Sequence, residues 1–198
     1  MKRFPSITTL CAACLTTCTS AFAGDNSLYA EALPADASFV RFVGFDGQDS
    51  AAFAGFTFGL AADDAGKYIP VSAANLNNIA PGSYTSILRA ADGSVQTIIE
   101  ADRGRQSKVA LVLVNGTDAP LALRLADGSV PVIENVDPTT SGIREVNPVA
   151  ITLGVFGTDQ STPLATFDVA LRRGQNISFV ADETGIRLIE NQFAPLAN

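Results

Sequence analysis

The chain carries no histidine, and its three cysteines, Cys11, Cys14 and Cys18, all lie close to the amino terminus. A Ser-His-Asp triad or a Cys-His pair needs an imidazole to take the nucleophile's proton, so neither can be built. The usual zinc sites draw on imidazole and thiolate and fall away with them. What is left for chemistry is carboxylates, Lys67, Lys108, three tyrosines and hydroxyls. An exported enzyme built from Asp and Glu alone would be a glycosidase-like hydrolase, with paired carboxylates sharing the acid and base roles. Such sites usually add aromatic platforms for the sugar, and there is no tryptophan. The composition therefore favours a binding or assembly protein. No catalytic residue, metal or cofactor is expected.

Two polar runs could form contacts. Arg144-Glu145-Val146-Asn147-Pro148 is the densest polar run outside a turn. Asn147 precedes a proline, which biases it to extended backbone. Arg144 and Val146 then point one way, Glu145 and Asn147 the other. The run is either a partner or saccharide contact or a strand crossing whose Arg and Glu pair across a sheet. Arg172-Arg173 is the one adjacent basic pair after the leader. It could meet an acidic polymer or partner, or simply turn a hairpin in water. Asp46-Gly47-Gln48-Asp49 is too short for a calcium loop, which needs ordered oxygen ligands and a closing bidentate acid. It and Asp63-Asp64 read as solvated turns. Tyr84 reads as an amphipathic plug at a sandwich end.

The elements that hold these residues follow from punctuation and period. Lys2-Arg3, a small apolar stretch from Ile7 to Phe22, and Ala21-Phe22-Ala23 form a secretory signal peptide over 1–23. A lipoprotein signal at Leu15-Thr16-Thr17-Cys18 is disfavoured because Thr17 stands where a small residue is usual. No later stretch is apolar enough to span a bilayer. Removing Lys2 and Arg3 from thirteen basic residues leaves eleven against twenty acids, a net charge of −9. Such a chain is unsuited to nucleic acid or an anionic membrane.

Residues 24–37 are a lead-in. Short strands are expected over 38–45, 53–60, 67–71, 84–89 and 95–99. Further strands follow over 109–114, 121–125, 131–135, 149–156, 166–171, 176–180 and 185–189, with an extended run over 143–148. Val109 to Val114 is a β-branched run of the kind buried on both faces. Asn115-Gly116 and Asp127-Gly128 read as hairpin turns that make a three-stranded meander with it. Leu88-Arg89-Ala90-Ala91-Asp92-Gly93-Ser94-Val95 and Leu123-Arg124-Leu125-Ala126-Asp127-Gly128-Ser129-Val130 agree at seven of eight places. This echo reads as one good turn used twice. With no long 3.6-residue repeat, the fold class is all-β: two tandem antiparallel β-sandwiches, immunoglobulin-like or carbohydrate-binding-module-like. The first spans 38–101 and the second 107–198, joined by a charged linker over 102–106.

Taken in order, several stretches resemble the alginate biosynthesis protein F (AlgF) family. They are Ser27-Leu28-Tyr29, Ala37-Ser38-Phe39-Val40-Arg41, Pro81-Gly82-Ser83-Tyr84-Thr85, Lys108 to Asn115, Pro120 to Leu123 with Ala126-Asp127-Gly128, and Arg144 to Val149. The resemblance implies a periplasmic accessory or adaptor protein of alginate O-acetylation with no catalytic centre of its own. It implies as partners a membrane acyltransferase and an SGNH-type periplasmic acetyltransferase. A stand-alone module binding an alginate-like polysaccharide is the alternative. The contact candidates carried forward are Arg144, Glu145, Asn147, Arg172 and Arg173.

Overall fold

The structure is a computed structural model that describes residues 32–101, 103 and 108–197. The expected signal peptide and most of the lead-in lie outside the described residues, as do residues 102 and 104–107. Fourteen strands and two single 3-10 turns, Ala62–Asp64 and Ala73–Asn75, make up the described regular structure, which is all-β.

The strands are β1 (Ala37–Val43), β2 (Ser50–Phe53), β3 (Phe56–Gly59), β4 (Tyr68–Ser72), β5 (Tyr84–Arg89), β6 (Val95–Ile99) and β7 (Val109–Asn115). They continue with β8 (Leu121–Leu125), β9 (Pro131–Val136), β10 (Thr140–Val146), β11 (Ala150–Gly157), β12 (Ala165–Ala170), β13 (Asn176–Asp182) and β14 (Gly185–Glu190). The first sheet has the order β4-β1-β5-β6, the second β10-β7-β13-β14, and the third β12-β11-β8-β9; β2 and β3 form a separate hairpin. Pairing is antiparallel except for one parallel pair in each of the first two sheets, β1 with β5 and β7 with β13.

Three apolar layers separate these sheets. The hairpin covers one face of the first sheet through Phe58 against Val40, Phe42, Ile69 and Ile87. The second and third sheets close on Leu111, Leu113, Leu123, Leu153, Val155 and Phe179. Between the first and second sheets, Val43, Leu88 and Ile98 meet Val112, Val114 and Val180. That third layer explains why all seven residues of β7 are buried. The strand alternates Leu111 and Leu113 to one neighbour with Val112 and Val114 to the other, as period-two side chains must.

The first two sheets share a plan. Each has a strand, a hairpin, an antiparallel edge strand, then a parallel central strand and its antiparallel partner; the third sheet adds β11 and β12. The eight-residue echo falls outside this correspondence. One copy turns β5 into β6, the other β8 into β9, and those hairpins are not equivalent in the plan. What they share is turn chemistry. Asp92 and Asp127 accept from the backbone N–H of Ser94 and Ser129 at 2.8 and 2.9 Å, and Gly93 and Gly128 hold φ of +87° and +75°.

Two local readings need correction. The run 53–60 is not one strand. Ala54 and Gly55 take φ of +49° and +85°, the signature of a two-residue turn whose twist matches a hairpin, and the chain folds back with Phe53 opposite Phe56. Asn115-Gly116 is no narrow hairpin turn either, because β7 and β8 belong to different sheets. The buried Asn115 side chain shapes a longer crossover. Its amide donates to Ala119 O and Val136 O at 2.8 and 2.9 Å, and its oxygen accepts from Thr117 N at 3.0 Å.

Candidate functional site

The layer between the first and second sheets ends in a buried polar cluster. Arg41 lies inside the mostly apolar β1, and its side chain is fully buried, as is that of Glu100. Arg41 donates from Nη2 to Glu100 Oε1 at 2.9 Å, from Nε to Ser86 Oγ at 2.9 Å, and from Nη1 to Asn191 Oδ1 at 3.0 Å. Glu100 also accepts from Ser86 Oγ at 2.6 Å, from Tyr68 OH at 2.7 Å, and from Arg103 Nη2 at 2.7 Å. Burial alone would push the Glu100 carboxyl up, but Arg41, Arg103 and the two hydroxyl donors outweigh it, and the acid is held below its ordinary range. Burial, reinforced by Glu100, raises the Tyr68 hydroxyl far above its usual value. Glu100 is thus held as the anion and Tyr68 as the neutral phenol.

Aromatic rings close the cluster. Tyr84 stacks on Phe39 with centroids 4.7 Å apart, and the Arg103 guanidinium sits 4.0 Å from the Tyr84 ring centre. Phe193 packs on Phe39 at 5.2 Å. It is carried there by the carboxy-terminal segment, whose Gln192 O and Ala194 N bond Tyr68 N and O at 2.9 and 2.8 Å. Chemically this is a structural clasp. Its one carboxylate has both oxygens occupied, and Glu100 is held below and Tyr68 above the neutral range in which a proton is readily moved.

The residues singled out from the sequence lie elsewhere, on the second sheet. Arg144 and Glu145 are on its edge strand β10, opposite Leu111 and Ala110. Arg144 is exposed and Glu145 half-buried. Asn147, just beyond β10, accepts from Lys108 Nζ at the start of β7. Arg172 and Arg173 occupy the turn between β12 and β13 and are exposed. Gly174 N bonds Lys108 O at 3.2 Å in that turn. Lys108 therefore joins Asn147 to the Arg172-Arg173 turn at one end of the second sheet, with Arg144 set back along β10. The sequence reading did not place Lys108 in this group. Its signal was its position, immediately before β7, the most buried of the described strands.

A cavity of about 360 Å3 opens beside the β1–β2 loop, lined by Phe42, Phe45, Leu60, Ile69 and Ile189 with the exposed Asp46 and Asp49. It contains none of the predicted contact residues. Among the described residues, no group of histidine, cysteine, Asp or Glu is arranged to hold a metal, and no helix is long and apolar enough to cross a membrane.

Comparison with known proteins places the chain. The profile of the family described as "Alginate O-acetyl transferase AlgF" matches residues 12–178. The alginate biosynthesis protein AlgF of Azotobacter vinelandii is 30% identical over 179 residues, covering 84% of this chain and 82% of that protein. That of Pseudomonas fluorescens is 29% identical over 180 residues, covering 79% and 77%. Among solved structures, the C-terminal domain of AlgF from P. aeruginosa matches 43% of this chain and 97% of that domain, at 26% identity and a TM-score of 0.36. With the matched span running from before the first strand into β13, the chain belongs to the AlgF family.

Proposed function

We propose that this chain is a non-catalytic accessory protein of alginate O-acetylation, exported to the periplasm, where it docks the acetylating enzymes. A membrane acyltransferase and an SGNH-type acetyltransferase are the partners this reading requires. The observation that carries it is the condition of Glu100. The most deeply buried acid in the described residues is spent on Arg41, Arg103, Ser86 and Tyr68 and has no lone pair left for a substrate proton. The lack of histidine anywhere and of cysteine beyond Cys18 supports the same reading. Although the family description names an acetyl transferase, an acyl transfer needs an activated nucleophile. A protein without one serves such a reaction by holding others in place.

Deleting the gene in a producing cell tests the proposal. The exported polymer is expected to lose its acetyl groups and to regain them when the full chain is restored. A polymer that stays fully acetylated without the protein would sink the idea. Turnover of an acetyl ester by the purified chain, lost on changing a single Asp or Glu, would replace it with an enzyme reading.

A further inference from the structure

Each four-stranded sheet ends in two edge strands, and an edge offers unpaired N–H and C=O groups to any strand that comes alongside. Five of the six edges carry the usual guards against that. β4 holds Pro70 and is covered by the carboxy-terminal segment, which bonds Tyr68 and Pro70. β9 begins at Pro131, carries Glu134 and is irregular in register. β10 carries Arg144 and Glu145, β12 Asp168, and β14 Arg187 and Glu190. β6, Val95-Gln96-Thr97-Ile98-Ile99, has no charge, no proline, no register shift and no covering segment among the described residues. The direction of its backbone groups follows from the bonds at its two ends. Glu100 N bonds Tyr84 O at 2.8 Å and Ala90 N bonds Ser94 O at 2.9 Å, so the even-numbered residues turn their N–H and C=O to β5. Val95, Thr97 and Ile99 turn theirs outward. The next outward group, Ala101 N, is taken by Ser141 Oγ at 3.0 Å. The side chains of the same three residues share the face of Ile87, which the β2–β3 hairpin covers over β5. Over β6 that face is open, with Val95 54% and Ile99 65% exposed.

We infer that β6 pairs with β6 of a second copy of this chain, antiparallel about a two-fold axis at Thr97. The inference is independent of the accessory reading above. In that register the strand is complementary to itself. Val95 stands opposite the partner's Ile99, and Thr97 opposite the partner's Thr97. Both are favourable cross-strand pairs, β-branched beside β-branched and hydroxyl beside hydroxyl. The outward N–H and C=O groups are in phase, so each copy donates from Val95, Thr97 and Ile99 and accepts at the same three residues. A charged strand laid against itself would set like charges together, and β6 has none. Growth stops at two copies. The other edge of the sheet, β4, is closed by Gln192 O, Ala194 N and Ala197 N, and a two-fold interface uses up its own surface. A five-residue edge buries far less than the roughly 1,200 Å² of a stable complex. Eleven basic against twenty acidic residues beyond the expected leader also give each copy a charge of −9. The dimer is therefore weak, held by main-chain bonds and apolar contact against electrostatic repulsion.

Sedimentation equilibrium of the exported chain is the first test. A monomer–dimer equilibrium is expected, moving towards dimer between about 0.01 M and about 1 M salt as the screening length falls from about 30 Å to about 3 Å. Thr97→Pro removes the central outward donor and touches no bond to β5, a placement an edge strand tolerates. It is expected to abolish the dimer while circular dichroism stays native. Thr97→Lys, which keeps the backbone and sets two like charges face to face, is expected to do the same. Register is read with single cysteines, since none occurs beyond Cys18. Residues directly opposite in such a pair have Cα atoms about 5.5 Å apart, inside the disulfide range. T97C is therefore expected to bridge two copies on mild oxidation. V95C alone is expected not to bridge, its mate lying four residues away along the strand, but to do so when mixed with I99C. A chain that stays monomeric at its highest soluble concentration overturns the inference. So does a T97P or T97K chain that dimerises like the natural one, or a dimer that falls apart as salt is raised. Bridging by V95C alone as readily as by T97C means a different register and overturns it as well.

Discussion

Glu100 stabilises the molecule only as an anion. Its carboxylate sits between two guanidinium groups, and removing its charge leaves both buried and uncompensated. Glu100→Gln keeps the shape of the side chain but leaves Arg41 without its counter-ion. Losing one partner of a buried pair costs about 3–5 kcal/mol, so urea denaturation should show a lower midpoint at an unchanged slope. The pH dependence carries a sign. Glu100 is held below its ordinary value of 4.5 in the folded chain. Its contribution is present above that value and lost as pH falls through the lowered one. Native stability should therefore drop below about pH 4.5 more steeply in the natural chain than in E100Q. Equal acid profiles for the two chains would show that folding does not lower the Glu100 pKa. Tyr68 acts at the other end of the scale. Its hydroxyl is raised, so its share is full below about pH 10 and is lost as pH climbs towards the raised value.

At the scale of elements, two positions show what the strands tolerate. Asn115 holds the β7–β8 crossover through two backbone carbonyls. Asn115→Ala takes the amide donor from the buried Val136 carbonyl and should cost about 1–3 kcal/mol in thermal or urea unfolding. Gly142 lets β10 lie against β9. A Cβ there would come within 2.5 Å of Ile133 Cγ2 and 2.8 Å of Val136 Cγ2, so Gly142→Ala should destabilise by about 1–3 kcal/mol through overpacking. If G142A unfolds at the native midpoint, β9 yields more readily than its contacts indicate. These elements also show what could be read in advance. The buried run of β7 and the turns at Asp92-Gly93 and Asp127-Gly128 were legible because each depends on a few adjacent residues. The pairing of the strand that follows β7 was not. Asn115-Gly116 looks the same whether the chain folds back beside itself or crosses to another sheet, and only the distant partner, Val136 O, decides. The Arg172-Arg173 turn and the polar run at Arg144 were visible as local charge. The clasp was not, because Arg41 acquires its meaning from Glu100, Ser86 and Asn191, far away in the chain.

For the whole molecule, the question is whether the two halves fold independently. The shared plan of the first two sheets allows each to close its own core, yet Val43, Leu88 and Ile98 are buried against Val112, Val114 and Val180. The clasp at the end of the same layer draws on both halves, and the carboxy-terminal segment bonds back to β4. Separating the halves would expose this apolar layer and strand Arg41 without Asn191. Each fully buried side chain in the layer is worth about 1.5–3 kcal/mol, enough to make a partly open state rare. The tyrosines allow a direct measurement. Tyr29, Tyr68 and Tyr84 all precede the second sandwich and there is no tryptophan. Through Tyr68 on β4 and Tyr84 on β5, tyrosine fluorescence reports the first sheet and its clasp, while far-UV circular dichroism reports the strands of both halves. The two signals should follow one urea transition in the natural chain, as a cooperative unit requires. Leu88→Asp places a charge in the apolar shared layer and should split the transition, with the fluorescence change moving to lower urea. Two separate transitions in the natural chain would mean that the layer is too weak to couple the halves. One shared transition persisting in L88D would mean that the clasp and the carboxy-terminal segment couple them without it.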